Sequence, residues 1–169
     1  MFINFFLIPL CATLFFIVTL YPLAAKIGFT DKPCHRKQHK QPTPLIGGFA
    51  MYLALLTTVL LTEIRLSQQT EFFVAATLLM LVGLLDDYRG LGIKVRLIVQ
   101  MAAGLIMTQL AGIKVDTLGN LFGFGDIQLG EFATAFTVFA MVGGINAFNM
   151  IDGMDGLAAS LSLTAFTTI

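Results

Sequence analysis

Apolar residues run in long blocks separated by short polar breaks. The first block, Phe2 to Leu23, is interrupted only by Asn4, Pro9, Thr13, Thr19 and Pro22. It has the ~20 residues that carry an α-helix across the hydrocarbon of a bilayer. Further blocks run Leu45 to Leu61, Phe72 to Leu85, Val95 to Ile113 and Phe132 to Ile151, and another runs from near Leu157 to Ile169. Between the fourth and fifth, Lys114 to Glu131 sets Gly119, Gly123, Gly125 and Gly130 around Val115, Leu118, Ile127 and Leu129. Apolar residues parted by Gly-rich breaks predict a hairpin or an ordered loop there. The pattern as a whole predicts an all-α, polytopic transmembrane bundle of about five to six helices with a small outer β-hairpin. Residues 1–169 then form one integral membrane domain.

Composition supports this solvent. Of the 169 residues, 57% are hydrophobic and 12% charged, with mean hydropathy +0.86. A soluble domain carries about a quarter charged residues. The first block is read as a retained helix, because no Lys or Arg precedes it and it is long for a signal peptide. Formal net charge is zero, which gives no reason to expect a nucleic-acid partner. Cys11 lies in an apolar run and Cys34 in a basic one, so both are expected as free thiols.

The distribution of charge says more than its sum. Lys26, Lys32, Arg36, Lys37 and Lys40 follow the first block, and Arg89, Lys94 and Arg96 follow the third. The opposite side holds Arg65 and Lys114. Basic loops face the cytoplasm, so the N-terminus is expected outside. The same alternation brings Asp86 and Asp87, at the end of the third block, and Asp152 and Asp155, at the end of the fifth, to the cytoplasmic face.

Three polar clusters therefore converge there. Carboxylates closing an apolar helix are expensive at membrane depth and tend to be functional. The adjacent pair Asp86-Asp87 can hold a hard cation such as Mg²⁺ through oxygen, or supply a general base, or form a solvated turn. In the second cluster Asn146, Asn149, Asp152 and Asp155 recur at every third position, with Gly153 and Gly156 between and after the acids. Such a series can line one side of a cleft, or merely cap a helix end. The third, Asp31 to Lys40 with Arg36, Lys37 and His39, precedes Pro42-Thr43-Pro44-Leu45-Ile46-Gly47-Gly48. Arg and Lys there, and Lys94 and Arg96 after the acid pair, can bind phosphate, or only set topology. His35 and His39 have the spacing of helical metal ligands, but the Pro-rich flank argues against a helix.

Taken together these segments resemble the polyprenyl-phosphate N-acetylhexosamine-1-phosphate transferases. The matching stretches are Gly28-Phe-Thr-Asp31-Lys32-Pro33 with the basic run and Pro44-Leu-Ile-Gly47-Gly48, then Asp86-Asp87 through Arg96-Leu-Ile-Val-Gln100, then Asn146 through Leu157. Within that family the chain looks closest to the WecA-type members. The run Arg36-Lys37-Gln38-His39-Lys40 before Pro42-Thr43-Pro44 is nearer to their pattern than to the MraY-type members of peptidoglycan synthesis. The resemblance implies a UDP-sugar and a polyprenyl phosphate as substrates in a membrane-lipid setting. Specifically, it implies transfer of N-acetylglucosamine-1-phosphate from UDP-GlcNAc to undecaprenyl phosphate, with Mg²⁺, or Mn²⁺ in its place. It places the protein in the bacterial inner membrane, at the start of lipopolysaccharide-type synthesis, and admits a homodimer. It implies Asp86, Asp87, Asp152 and Asp155 as catalytic residues. Asn146, Asn149, Lys94, Arg96, Arg36, Lys37 and His39 would bind substrate, and Asp86 and Asp87 would take part in holding metal. The family continues for several more helices, carrying a metal-binding Asp and a His-rich loop, so the chain is expected to be the N-terminal part of that fold. A small transporter and a non-catalytic membrane remnant are the rival readings. Metal-dependent UMP release separates the enzyme from both.

Overall fold

The computed structural model describes residues 2–31, 43–62, 69–151 and 157–168. Arg36, Lys37, His39, Asp152 and Asp155 lie outside the described residues, as do Cys34 and His35. The helices are α1 (Phe2–Ile27), α2 (Gly47–Leu61), α3 (Thr70–Arg89), α4 (Ile93–Leu105), α5 (Ala133–Ile151) and α6 (Leu157–Thr168). They follow the six apolar blocks in order. Among the described residues, three stretches are long and apolar enough to cross a membrane: Phe6–Ile27, Ile93–Leu110 and Gly130–Ile151. α2 is apolar but shorter. The chain is a helical membrane protein.

Hydrocarbon offers no partner to a peptide group or a hydroxyl, so each must find one in the chain. The threonines on these helices do so by folding back. The hydroxyls of Thr19, Thr57, Thr58, Thr77, Thr137 and Thr164 each donate to the carbonyl four residues earlier, at 2.6–2.8 Å. Pro9 and Pro22 sit inside α1, where a missing N–H leaves a carbonyl without its usual donor.

The chain forms two compact units, Met1–Gly92 and Ile93–Ile169. In the first, α2 packs against both α1 and α3. Its buried positions Ala50, Ala54 and Thr58 recur every fourth residue, a stripe of small side chains of the kind that lets membrane helices approach closely. Across α2 and α3, Tyr52 and Thr77 share a hydrogen bond. Tyr52 is the donor, because the Thr77 hydroxyl already gives its proton to the Phe73 carbonyl. The block read as Phe72 to Leu85 is a longer helix, reaching from Thr70 to Arg89. Its charged ends, Glu71 and Asp86-Asp87-Arg89, hid its extent in the hydropathy pattern.

In the second unit α4 and α5 pack along Ala103, Gly104 and Met107 on one side and Ala133 and Thr137 on the other. A β-carbon at Gly104 would lie 3.3 Å from both methyl groups of Val138, so the helices are closest there. α4 continues into a π-helical turn, Ile106–Leu110. The glycine-rich segment that follows is the expected hairpin in reduced form. A single antiparallel bridge joins Thr117 and Gln128, supported by Leu118 N–H to Ile127 O at 2.9 Å and Leu129 N–H to Asp116 O at 2.8 Å. A 3₁₀ turn, Gly130–Phe132, leads into α5.

Candidate active site

In the first unit, two strands of two residues each, β1 (Thr30–Asp31) and β2 (Thr43–Pro44), pair antiparallel with Thr30 opposite Pro44 and Asp31 opposite Thr43. The described residues on either side of the basic run, Asp31 and Thr43, are thus held side by side. The ladder is tied to α1 by Phe29 N–H to Ala24 O at 2.9 Å and extended by Leu45 N–H to Phe29 O at 3.2 Å. Phe29 in turn packs its ring on Tyr88, centroids 6.2 Å apart. Tyr88 immediately follows Asp87, so the stem of the basic loop and the acid pair stand at the same end of this unit.

Asp86 and Asp87 occupy the last turn of α3. Asp86 is half-buried and closes the helix twice. Its carbonyl accepts from Gly90 N–H at 2.7 Å, and its carboxylate Oδ1 accepts from Leu91 N–H at 2.8 Å. Gly90 makes this possible with φ 65°, a left-handed cap that a side chain would disfavour. Asp87 is exposed. Both acids lie at the negative end of the helix dipole, where carboxylates are disfavoured by a few tenths to about 1 kcal/mol each. Lys94 and Arg96 break the same rule in reverse. They stand in the first turn of α4, which holds no acid, where cations are disfavoured.

An apolar cavity of about 320 Å³ adjoins the last turns of α3. Leu20, Leu23, Ala24 and Ile27 of α1 form one wall, and Leu84, Leu85 and Tyr88 of α3 another. Phe29, Ile46 and Phe49 complete it. Leu84, Leu85 and Tyr88 bracket Asp86 and Asp87 in sequence, so the cavity wall and the carboxylates share one to two turns of helix. An apolar hollow beside ionic groups suits an amphiphile.

In the second unit, Asn146 and Asn149 lie near the end of α5. Asn146 is half-buried and its amide donates to Gln100 Oε1 at 2.6 Å and to Val142 O at 2.8 Å. Both amide hydrogens are thereby given to protein acceptors. Asn149, three residues on, is exposed. Gln100 is the residue that pattern reading missed as part of this cluster. It reads as a lone polar position in mid-helix, and only its buried state and its partner 46 residues away reveal its place.

Residues 70–169, more than half of the chain, match the sequence model of glycosyl transferase family 4. The chain belongs to glycosyl transferase family 4. Curated relatives extend the likeness over almost all of its length. An undecaprenyl-phosphate alpha-N-acetylglucosaminyl 1-phosphate transferase of Yersinia pestis is 38% identical over 151 residues, covering 89% of this chain and 41% of the relative. The protein of the same name in Escherichia coli strain K12 is 34% identical over 157 residues, 93% of this chain and 43% of the relative. A probable undecaprenyl-phosphate N-acetylglucosaminyl 1-phosphate transferase of Bacillus subtilis is 34% identical over 165 residues, 97% of this chain and 46% of the relative. The chain thus spans less than half the length of the curated relatives it matches. No solved structure matches it.

For a member of this family the donor set at the end of α3 is chemically suitable for Mg²⁺. Two carboxylates supply hard oxygen ligands, and this ion is commonly held by one or two of them, with water and phosphate oxygens filling its shell. Among the described residues no group of three or more metal-ligating side chains occurs. The mid-helix polar residues are committed elsewhere. Thr57 and Thr58 bond back to their own helix, Gln100 takes Asn146, and Gln109 donates to Thr134 Oγ1 at 3.2 Å.

The two duties of Asp86 are separable. Asp86→Asn keeps an oxygen for Leu91 N–H, whereas Asp86→Ala removes it. In hydrogen exchange, the Leu91 amide should exchange about fivefold to tenfold faster in the Ala variant, the equivalent of one ordinary hydrogen bond. It should stay near the wild-type rate in the Asn variant. Equal protection in all three would mean that the carboxylate does not hold this turn.

Proposed function

We propose that the complete protein transfers N-acetylglucosamine-1-phosphate from UDP-GlcNAc to undecaprenyl phosphate and releases UMP. The observation that supports this reading is the carboxylate pair at the end of a helix whose last turns also line an apolar cavity. It accords with the family and with the names of the relatives, which favour this reaction over transfer of a MurNAc-pentapeptide. In this reading the active-site ends of the helices face the cytoplasm of a bacterial inner membrane and the N-terminus lies outside.

An oxygen of the lipid phosphate attacks the β-phosphorus of UDP-GlcNAc. The bond from that phosphorus to the α–β bridging oxygen breaks, and UMP leaves with the oxygen. The sugar stays on its phosphate and becomes a sugar-diphospho-lipid. Such a transfer depends chiefly on positioning and on neutralising charge. Mg²⁺, when bound, supplies that neutralisation at the diphosphate. Asp87, exposed at the helix end, would contribute an oxygen ligand to the ion. Asp86, fixed by Leu91, orients the lipid phosphate or takes its proton. Lys94 and Arg96 attract phosphate oxygens. Asn149, with Asp152 and Asp155, lines the nucleotide side, while Arg36, Lys37 and His39 supply positive charge from the loop. The cavity receives the first isoprene units of the lipid, whose headgroup then meets the acids.

The decisive assay is UMP release by membranes carrying the complete protein, given UDP-GlcNAc, undecaprenyl phosphate and Mg²⁺. Release should need all three, and Asp86→Asn should lower it about 100-fold or more without loss of the protein from the membrane. Near-normal turnover in that variant would remove Asp86 from the chemistry, and ion flux without UMP release would favour a transporter. The cavity has its own test. Ile27 lines it and is 67% exposed, so Ile27→Trp can narrow it without breaking a packed core. The KM for undecaprenyl phosphate should rise about threefold to tenfold, with that for UDP-GlcNAc unchanged. Unchanged KM for the lipid would place the isoprenoid elsewhere.

A further inference from the structure

α5 is apolar nearly all round. Phe139, Phe148 and Met150 are all exposed, at 76%, 48% and 81%. In lipid this gives no rotational preference, since hydrocarbon is as good a neighbour as another helix and only packing and polar bonds discriminate. The seam with α4 is built from small residues, Ala103, Gly104 and Ala133, with Val138 set against Gly104 at its middle. Towards its two ends the rotation of α5 is held by polar bonds. Near its start, Gln109 donates to Thr134 Oγ1 at 3.2 Å and Val115 N–H to Thr137 Oγ1 at 2.9 Å. Near its end stands the bond between Asn146 and Gln100, at 2.6 Å, with Gln100 only 8% exposed.

The consequence falls on Asn149. It lies three residues beyond Asn146, about 60° back round the helix and ~4.5 Å along it. With Asn146 locked into the seam, Asn149 is carried just outside it and is exposed. If α5 turned by one residue position, about 100°, Asn149 would face a different neighbour altogether. Asn146 cannot hold this orientation alone, because its other bond, to Val142, is within its own helix. The partner on α4 is therefore the determinant.

We infer that Gln100 is a positioning residue for the nucleotide side of the site: through Asn146 it fixes the rotation of the end of α5 and so the direction of Asn149. The kinetic part of this inference rests on the transferase reading above. Its structural part does not. Gln100 touches no substrate in this scheme and acts only through Asn146.

Three measurements on the complete protein test it. The first is kinetic. Gln100→Leu should raise the KM for UDP-GlcNAc about threefold to tenfold, while that for undecaprenyl phosphate stays within about twofold. General loss of folded protein would lower kcat and leave both KM values alone. The second is coupling. Adding Gln100→Leu to Asn146→Leu should cause little further loss, and the exchanged pair Gln100→Asn with Asn146→Gln should recover part of the activity. Additive losses would mean that Gln100 acts independently and would overturn the inference. The third does not depend on activity. In a cysteine-free background, Asn149→Cys should react with a soluble maleimide at a rate that changes severalfold when Gln100→Leu is added. Gln109→Leu, at the other end of the seam, should leave that rate within about twofold. An unchanged rate with Gln100→Leu would contradict the clamp directly. Should the wild-type protein prove inactive on UDP-sugars, the reaction would fall while the labelling experiment still decided the role of Gln100.

Discussion

A peptide group inside hydrocarbon can bond only to its own chain or to another buried part of the protein. That constraint makes each apolar block of this chain a helix and turns the hydroxyls of Thr57, Thr58, Thr77 and Thr137 back onto their own helices. It also drives ionic chemistry to the helix ends. Asp86 and Asp87 stand on the last turn of α3, Lys94 and Arg96 on the first turn of α4, and Asn149 on the last turn of α5. Each stands at the end of its own helix.

The same constraint explains why so few polar bonds matter so much. With little hydrophobic force between helices in lipid, small residues such as Ala50, Ala54 and Gly104 permit close approach but do not select one rotation. Selection falls to Tyr52 with Thr77 in one unit, and to Gln100 with Asn146 and Gln109 with Thr134 in the other. Each joins two helices, and the Gln100 bond stands one turn from Asn149.

Helices and their order were legible because hydropathy reports burial in lipid directly. The acid pair was legible because carboxylates at the end of an apolar run are costly. The full length of α3 was not, since Glu71, Asp86, Asp87 and Arg89 make its ends look like loop. The ladder of Thr30–Asp31 with Thr43–Pro44 was not either. Two-residue strands carry no periodicity, and Pro44 argues locally against a strand. The role of Gln100 was hidden for a different reason. Its partner is distant in sequence, and an isolated polar residue in an apolar run looks the same whether it lines a path, binds a ligand or holds a neighbour. Asn146 was read as facing substrate, whereas the structure commits its amide hydrogens to Gln100 and Val142.

Convergence of the polar helix ends at one membrane face is the premise on which the proposed chemistry stands, and thiol accessibility tests it most directly. Single cysteines at Tyr88, Asn149 and Phe124 in the complete protein would be labelled with an impermeant maleimide, in intact cells and in inverted membrane vesicles. Labelling of positions 88 and 149 only in inverted vesicles, and of position 124 only in cells, is the predicted result. Labelling of 88 and 149 from opposite sides would separate the acid pair from Asn149 by the thickness of the bilayer and contradict a shared site.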